Sequence, residues 1–128
     1  MRYLLDTCAV IWGTMSPHQL PRHAREIITD AANTIYVSAA SAWEIATKVR
    51  AGKLPEAEIL ERNFFHVMDV ANYSLLPIDA AVALRAGRLV AEHRDPFDRM
   101  IAAQALSLDI PVLSPDTKLD LFGVRRMW

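Results

Sequence analysis

Short β-branched or leucine-rich runs alternate with stretches of helical apolar spacing along the whole chain. That alternation restricts the fold more than any other feature. The strand candidates are Tyr3 to Leu5, Thr34 to Val37, Leu75 to Ile78 and Val112-Leu113, with Val124 to Met127 as a last edge strand. Between them, Pro21 opens a helix whose Ala24, Ile27, Ile28 and Ala31 share one face. Ser38 or Ser41 caps a second helix that ends at Ala51-Gly52. Pro55 opens a third helical stretch, with Ile59, Leu60, Phe64 and Val67 at helical spacing. Asp79 caps a fourth, whose Ala80, Ala83, Leu84 and Gly87 form a small-residue face suited to close packing. Asp95-Pro96 places an acid at an N-cap and proline at the first helical position, ahead of Ile101, Ala102, Ala105 and Leu106. After the first strand, Val10 to Trp12 continue an apolar run that Gly13 is expected to stop. Such an order predicts a three-layer α/β/α fold, with a central, mostly parallel sheet of four to five strands.

A chain of 128 residues is expected to form a single domain over 1–128. Apolar residues at 52% and charged residues at 23% place it among compact globular proteins rather than disordered ones. The net charge of −1 gives no global attraction for nucleic acid, so any nucleic-acid site has to be a local patch. Cys8 is the single cysteine, which excludes an intramolecular disulfide and suits a reducing cytoplasm. Its neighbours point to a buried structural thiol. The N-terminal run Tyr3-Leu4-Leu5 meets Asp6 after three apolar residues, so neither a signal peptide nor a membrane span is expected there.

Four acids stand where an apolar segment ends or a helix begins: Asp6, Glu44, Asp98 and Asp116. In an open α/β sheet those edges converge on a crevice at the carboxyl ends of the strands. Carboxylates gathered there repel one another and raise each other's pKa unless a cation is present. A hard divalent ion, Mg²⁺ or Mn²⁺, is the expected partner. Each acid also has a local explanation. Asp6 serves equally as a turn former or helix cap with Thr7. Glu44 fits a capping box with Ser41, or, with the cap at Ser38, points toward the strand ends. Asp95 as N-cap puts Asp98 where an acid meets the helix dipole. Asp98 is the better candidate ligand, and Asp95 the cap or supporting acid. Asp116 fits a solvated turn, and Asp120 a surface position or second cap.

Taken together, the contexts are more specific. Tyr3-Leu4-Leu5-Asp6-Thr7, Ser41-Ala42-Trp43-Glu44-Ile45-Ala46, the run Arg94-Asp95-Pro96-Phe97-Asp98-Arg99 with its small-residue helix to Ala105, and Leu113-Ser114-Pro115-Asp116 before Gly123-Val124 occur in this order. In these motifs the chain resembles the PIN-domain nucleases, and within them the VapC-like ribonuclease toxins of type II toxin–antitoxin systems. The resemblance runs from residue 1 to about residue 127. It implies that Asp6, Glu44, Asp98 and Asp116 are catalytic and bind the metal, with Asp95 as an extra acid. Pro115 departs from the basic or polar residue the family often has before the last acid, a change that shifts Asp116 relative to the other acids.

The implied activity is Mg²⁺-dependent hydrolysis of RNA phosphodiester bonds by an endoribonuclease, with Mn²⁺ as an alternative ion. Thr7 and Ser114 are candidate hydroxyls for metal-bound water. Lys48, Arg94 and Arg99, with Arg50 and Lys53, are candidate contacts to the RNA backbone or partners of the acids when no metal is bound. A small cognate antitoxin and a homodimer are implied partners, and no membrane. Trp12, Trp43, Phe64, Phe65 and Trp128 are candidates for exposed binding aromatics, with core packing the alternative. A non-catalytic PIN-like module binding RNA or protein is the other reading, and loss of the acids would be its mark. Structure-specific DNA cleavage would need added helical elements. An α/β phosphatase would want an early Asp-x-Asp where Asp6-Thr7-Cys8 stands.

Overall fold

The computed structural model describes residues 1–128. Five strands form one sheet in the order β3-β2-β1-β4-β5, and every pairing is parallel. They are β1 (Arg2–Leu5), β2 (Thr34–Ser38), β3 (Ser74–Leu76), β4 (Val112–Leu113) and β5 (Arg126–Met127). Seven α-helices accompany them: α1 (Thr7–Met15), α2 (Arg22–Thr29), α3 (Ala39–Arg50), α4 (Glu58–Arg62), α5 (Phe64–Val70), α6 (Ala80–Arg88) and α7 (Pro96–Leu108). Short 3-10 turns fill Pro17–Gln19, Pro55–Ala57 and Thr117–Phe122.

Strand side chains alternate between the two faces, and the core divides accordingly. Tyr3 and Leu5 of β1, Ile35 and Val37 of β2 and Leu113 of β4 join Val10, Ile27, Ile45, Leu60 and Met68 on one face. Leu4 and Val112 join Ile101, Ala102, Ala105, Leu119 and Phe122 on the other. The central strand β1 is buried on both sides, and burying each of its leucines stabilises the fold by about 2 kcal/mol. No helix is long and apolar enough to cross a membrane.

The strand order reverses between β1 and β4. The chain runs outward from β1 to β2 and β3, then returns to β4 on the other flank of β1. A crevice opens at the carboxyl ends of the strands at such a point.

Four local expectations need correction. The apolar run after β1 does not stop at Gly13 but forms α1, because Asp6 caps it by accepting the Ala9 N–H at 2.8 Å. Gly13 lies inside that helix, where a Cβ would stand 2.7 Å from the Tyr73 hydroxyl oxygen. Ala31 falls beyond the end of α2 and is exposed. The stretch from Pro55 is not one helix, since the chain turns at Asn63 between α4 and α5. Helix α6 buries Ala86 rather than the small-residue face, and Ala80, Ala83, Leu84 and Gly87 are exposed. Its last turn is held to α7 by Arg99, whose guanidinium reaches the Ala86 and Gly87 carbonyls.

Candidate metal centre

The crevice between β1 and β4 is acidic. Asp6, Glu44, Asp95, Asp98 and Asp116 line one cavity of about 340 Å³ with Thr7, Cys8 and Pro115. Four chain segments deliver them, each by a local rule. Asp6 leaves β1 and caps α1. Its Oδ1 accepts from Ala9 N, and its Oδ2 accepts the Ser114 hydroxyl at 2.5 Å. Glu44 comes from α3. The N-cap of that helix is Ser38, whose hydroxyl accepts the Ala40 N–H at 2.9 Å. The Ser41–Glu44 capping box therefore does not form. Glu44 lies beyond the first turn and is free to face the strand ends. Asp95 caps α7 by accepting the Phe97 N–H at 2.9 Å, and Asp98 follows in the first turn. Asp116 caps the 3-10 turn that follows β4, accepting the Lys118 N–H at 2.9 Å.

Burial sets the electrostatics. Asp6 is 4% exposed. Loss of water raises its pKa from 3.8 to about 7, against the lowering effect of the Ser114 and Ala9 hydrogen bonds, and the charges of Asp98 and Glu44 add to the rise. Asp98 is also raised, first by burial and then by Asp95 and Glu44, with the His93 hydrogen bond opposing. Burial, then Asp6 and Glu44, lift the Cys8 thiol to about 12, so it is inert as a nucleophile. Glu44 is 6% exposed. Lys48, one turn on, donates to its Oε2, while its Oε1 is buried without any partner. Burial opposes the charge on Lys48, but the hydrogen bond and charge of Glu44 outweigh that and raise its pKa.

An orphaned carboxylate oxygen among acids of raised pKa is the environment that a divalent cation relieves. The donor set is oxygen-rich, as hard cations require. The residues fit a divalent metal ion.

The remaining sequence candidates are distributed as follows. Thr7 Oγ1 lies 3.0 Å from Ser41 Oγ, with both side chains buried. Ser114 is fully buried between Asp6 and the Asp116 N–H, which it accepts at 2.9 Å. Thr7 lines the acidic cavity while bonded to Ser41, and the Ser114 hydroxyl is held between Asp6 and the Asp116 N–H. Arg99 does not face a substrate: its guanidinium donates to the carbonyls of Ala86, Gly87, Leu89, Ala91 and His93, so it clamps the loop before α7. Arg94 is exposed at the mouth of a neighbouring cavity of about 760 Å³. Arg50 and Lys53 are exposed, and Asp120 pairs with Arg126 at the surface. Of the large aromatics, Trp12 packs against Trp128, while Phe65 and Trp43 are exposed. Trp43, 59% exposed, stands edge-on to Phe97 at 4.7 Å.

His93 was not among the candidates. Its Nε2 lies 2.8 Å from Asp98 Oδ2. The only signal was its place five residues before Asp98, in a loop whose path the sequence does not set.

A carboxylate cavity suited to a divalent cation, at the switch point of a parallel α/β/α sheet, defines the class of protein. The chain belongs to the PIN domain family, whose model matches residues 3–124. It is 47% identical over 60 residues to Ribonuclease VapC16 of Mycobacterium tuberculosis, a stretch covering 41% of this chain and 43% of that protein. Among solved structures, it is similar to a chain of VapBC2 from Rickettsia felis bound to a DNA fragment from their promoter, with TM-score 0.69 and 17% identity over 100% of this chain and 99% of that one. VapBC-1 from nontypeable Haemophilus influenzae gives TM-score 0.66 and 16% identity over 99% and 97%. FitAcB from Neisseria gonorrhoeae gives 0.61 and 20% over 98% and 96%.

Proposed function

We propose that this chain is a metal-dependent endoribonuclease, the toxin of a type II toxin–antitoxin pair, acting in the cytoplasm. One observation carries the reading: five carboxylates from four separate segments share one cavity, and one of them, Glu44, has a buried oxygen without a partner. Asp6 and Asp98 are the principal ligands of Mg²⁺ or Mn²⁺, and Glu44 and Asp116 complete the set. The bound ion supplies an activated water and charge neutralisation at the phosphoryl oxygens.

The chain's own residues do the positioning. Ser114 fixes Asp6 and the backbone at Asp116 together. Asp95 sets the start of α7 and thereby the direction of Asp98. Lys48 neutralises Glu44 in the metal-free protein. Arg94, exposed and next to Asp95 in the chain, is a basic residue available to meet an RNA phosphate.

An antitoxin partner is supported by a second cavity of about 380 Å³. Ile11, Trp12, Met15 and Leu54 give it apolar walls, and it shares Thr7, Cys8 and Glu44 with the acidic one. A peptide with an apolar face and a basic tip suits that pair of cavities. A homodimer is proposed on family likeness.

Total cellular RNA incubated with the purified chain tests the activity. Discrete fragments are expected with Mg²⁺, and none with chelator or with Asp6→Asn. Intact RNA in all three, once a bound antitoxin is excluded, would favour a non-catalytic binding module.

A further inference from the structure

A nitrogen donor stands among the carboxylates. Ligand atoms of His93, Asp98 and Asp116 all lie within 4.8 Å of one another, and His93 Nε2 is 2.8 Å from Asp98 Oδ2. Two ligand atoms at right angles on one small divalent ion, each about 2.1 Å from it, stand about 3 Å apart, and opposed ones about 4 Å apart. The trio is therefore close to the spacing of a single coordination sphere.

Phe122 and Asp98 hold the ring of His93, and Arg99 holds its backbone. Its ring packs against Phe122 with centroids 5.7 Å apart. Its backbone carbonyl accepts from Arg99 Nη1 at 3.1 Å. Its side chain is 12% exposed. His93 lines the cavity next to the acidic one and reaches the acids through Asp98. Glu44 lines the acidic cavity as well, and its buried Oε1 has no partner within the protein, an uncompensated acceptor that a nearby cation would relieve. The chain's other histidines, His18, His23 and His66, are exposed, and none lines either cavity.

We infer that His93 ligates the ion held by Asp98 and Asp116, and that this nitrogen–oxygen donor set makes the centre favour Mn²⁺ over Mg²⁺. The inference rests on the reading of the acidic cavity as a metal centre. Mg²⁺ takes oxygen ligands and gives up its water reluctantly, whereas imidazole suits first-row transition ions. Ligation uses the Nε2 lone pair, so the ring proton sits on Nδ1 in the loaded centre.

The test is pulsed electron paramagnetic resonance of Mn²⁺ added to the chelator-stripped full chain. A ¹⁴N coupling from imidazole is expected in the wild type, converting to the ¹⁵N pattern after ¹⁵N-histidine labelling and vanishing in His93→Gln. Mn²⁺ affinity should fall about ten-fold in His93→Gln, with Mg²⁺ affinity, read by competition, changing by less than about two-fold. The wild-type spectrum decides the matter even if the variant misfolds. Mn²⁺ that binds, is lost in Asp98→Asn and shows no nitrogen coupling overturns the ligand role of His93 and leaves the ribonuclease reading intact. Mn²⁺ that binds equally well to Asp98→Asn, or not at all, overturns the metal centre and this inference with it. Nitrogen coupling without RNA cleavage sustains the inference and removes the ribonuclease reading instead.

Discussion

Ser114 donates its hydroxyl to Asp6 Oδ2 at 2.5 Å, across 108 positions of sequence, and Ser114 Oγ in turn accepts the Asp116 N–H at 2.9 Å. One buried hydroxyl thus sets two acids that come from neighbouring strands. Ser114→Ala should keep the fold, since alanine fits the space, while destabilising it by about 1 kcal/mol. Asp6 loses a hydrogen bond that lowers its pKa, so its protonated form gains and its hold on a cation weakens. RNA cleavage should fall about 10- to 100-fold, with divalent-ion affinity falling alongside. Cleavage rates over a metal titration check this. An unchanged rate would show that Ser114 only fills space.

The raised pKa of Asp6 makes the metal-free protein pH-sensitive in a definite direction. The folded-state value, about 7, lies above the ordinary aspartate value of 3.8. The folded state therefore holds the proton more tightly than the unfolded chain between those values, and stability falls as pH rises through them. Burial raises Asp98 in the same sense. In chelator, the melting temperature should drop between about pH 4 and about pH 7 and level off above. Asp6→Asn should flatten much of that slope, and a divalent ion added near neutral pH should recover the loss. Thermal melts of both proteins across that range, with and without metal, give the comparison. A wild-type slope matched by Asp6→Asn would assign the effect elsewhere.

The sheet was legible because strands and helices carry their own periodicities. Thr34 to Val37 alternates between faces, and Asp95-Pro96 is a start signal that needs no tertiary help. Asp6, Asp95, Asp98 and Asp116 were legible by position, since each stands at or within a turn of an element boundary, whereas Glu44 lies inside α3 and was legible only through its motif. Helix α1 was not. Its capping acid doubles as a site acid, and its glycine is explained only by Tyr73, which lies far along the chain. The basic residues were least legible. Lys48 and Arg99 are both cations near acids, yet one pairs with Glu44 and the other serves main-chain carbonyls. The Glu44–Lys48 pair follows from i,i+4 spacing on α3, but the role of Arg99 depends on loop geometry, about which side-chain type says nothing. His93 escaped notice for the same reason, because Arg99 organises the loop that carries it.

Lys48 and Glu44 form an ion pair on α3 in which the acid is buried and the lysine tip is 39% exposed. Lys48→Met leaves both Glu44 oxygens without a partner, because Oε1 already has none. The metal-free variant should lose about 1–2 kcal/mol, discounted for solvent at the lysine. Lysine also competes with a cation for Glu44, so a divalent ion should raise the melting temperature of the variant more than that of the wild type. Differential scanning fluorimetry with and without metal reads both effects. Equal metal-induced shifts would mean that Glu44 is not a ligand.

Arg99 has its guanidinium among five carbonyls that span the end of α6 and the loop to His93. A planar fork can meet several acceptors at once, whereas an ammonium offers three donors at one point. Arg99→Lys keeps the charge and loses most of that geometry. It should destabilise the protein by about 2 kcal/mol and leave some of those carbonyls without a donor. The segment 89–94 should then open to proteases before the rest of the fold does, and His93 and Asp98 should lose their fixed separation. Limited proteolysis followed by mass spectrometry locates the first cut. First cuts outside that segment, at wild-type rates, would remove Arg99 as the residue that clamps the loop before α7.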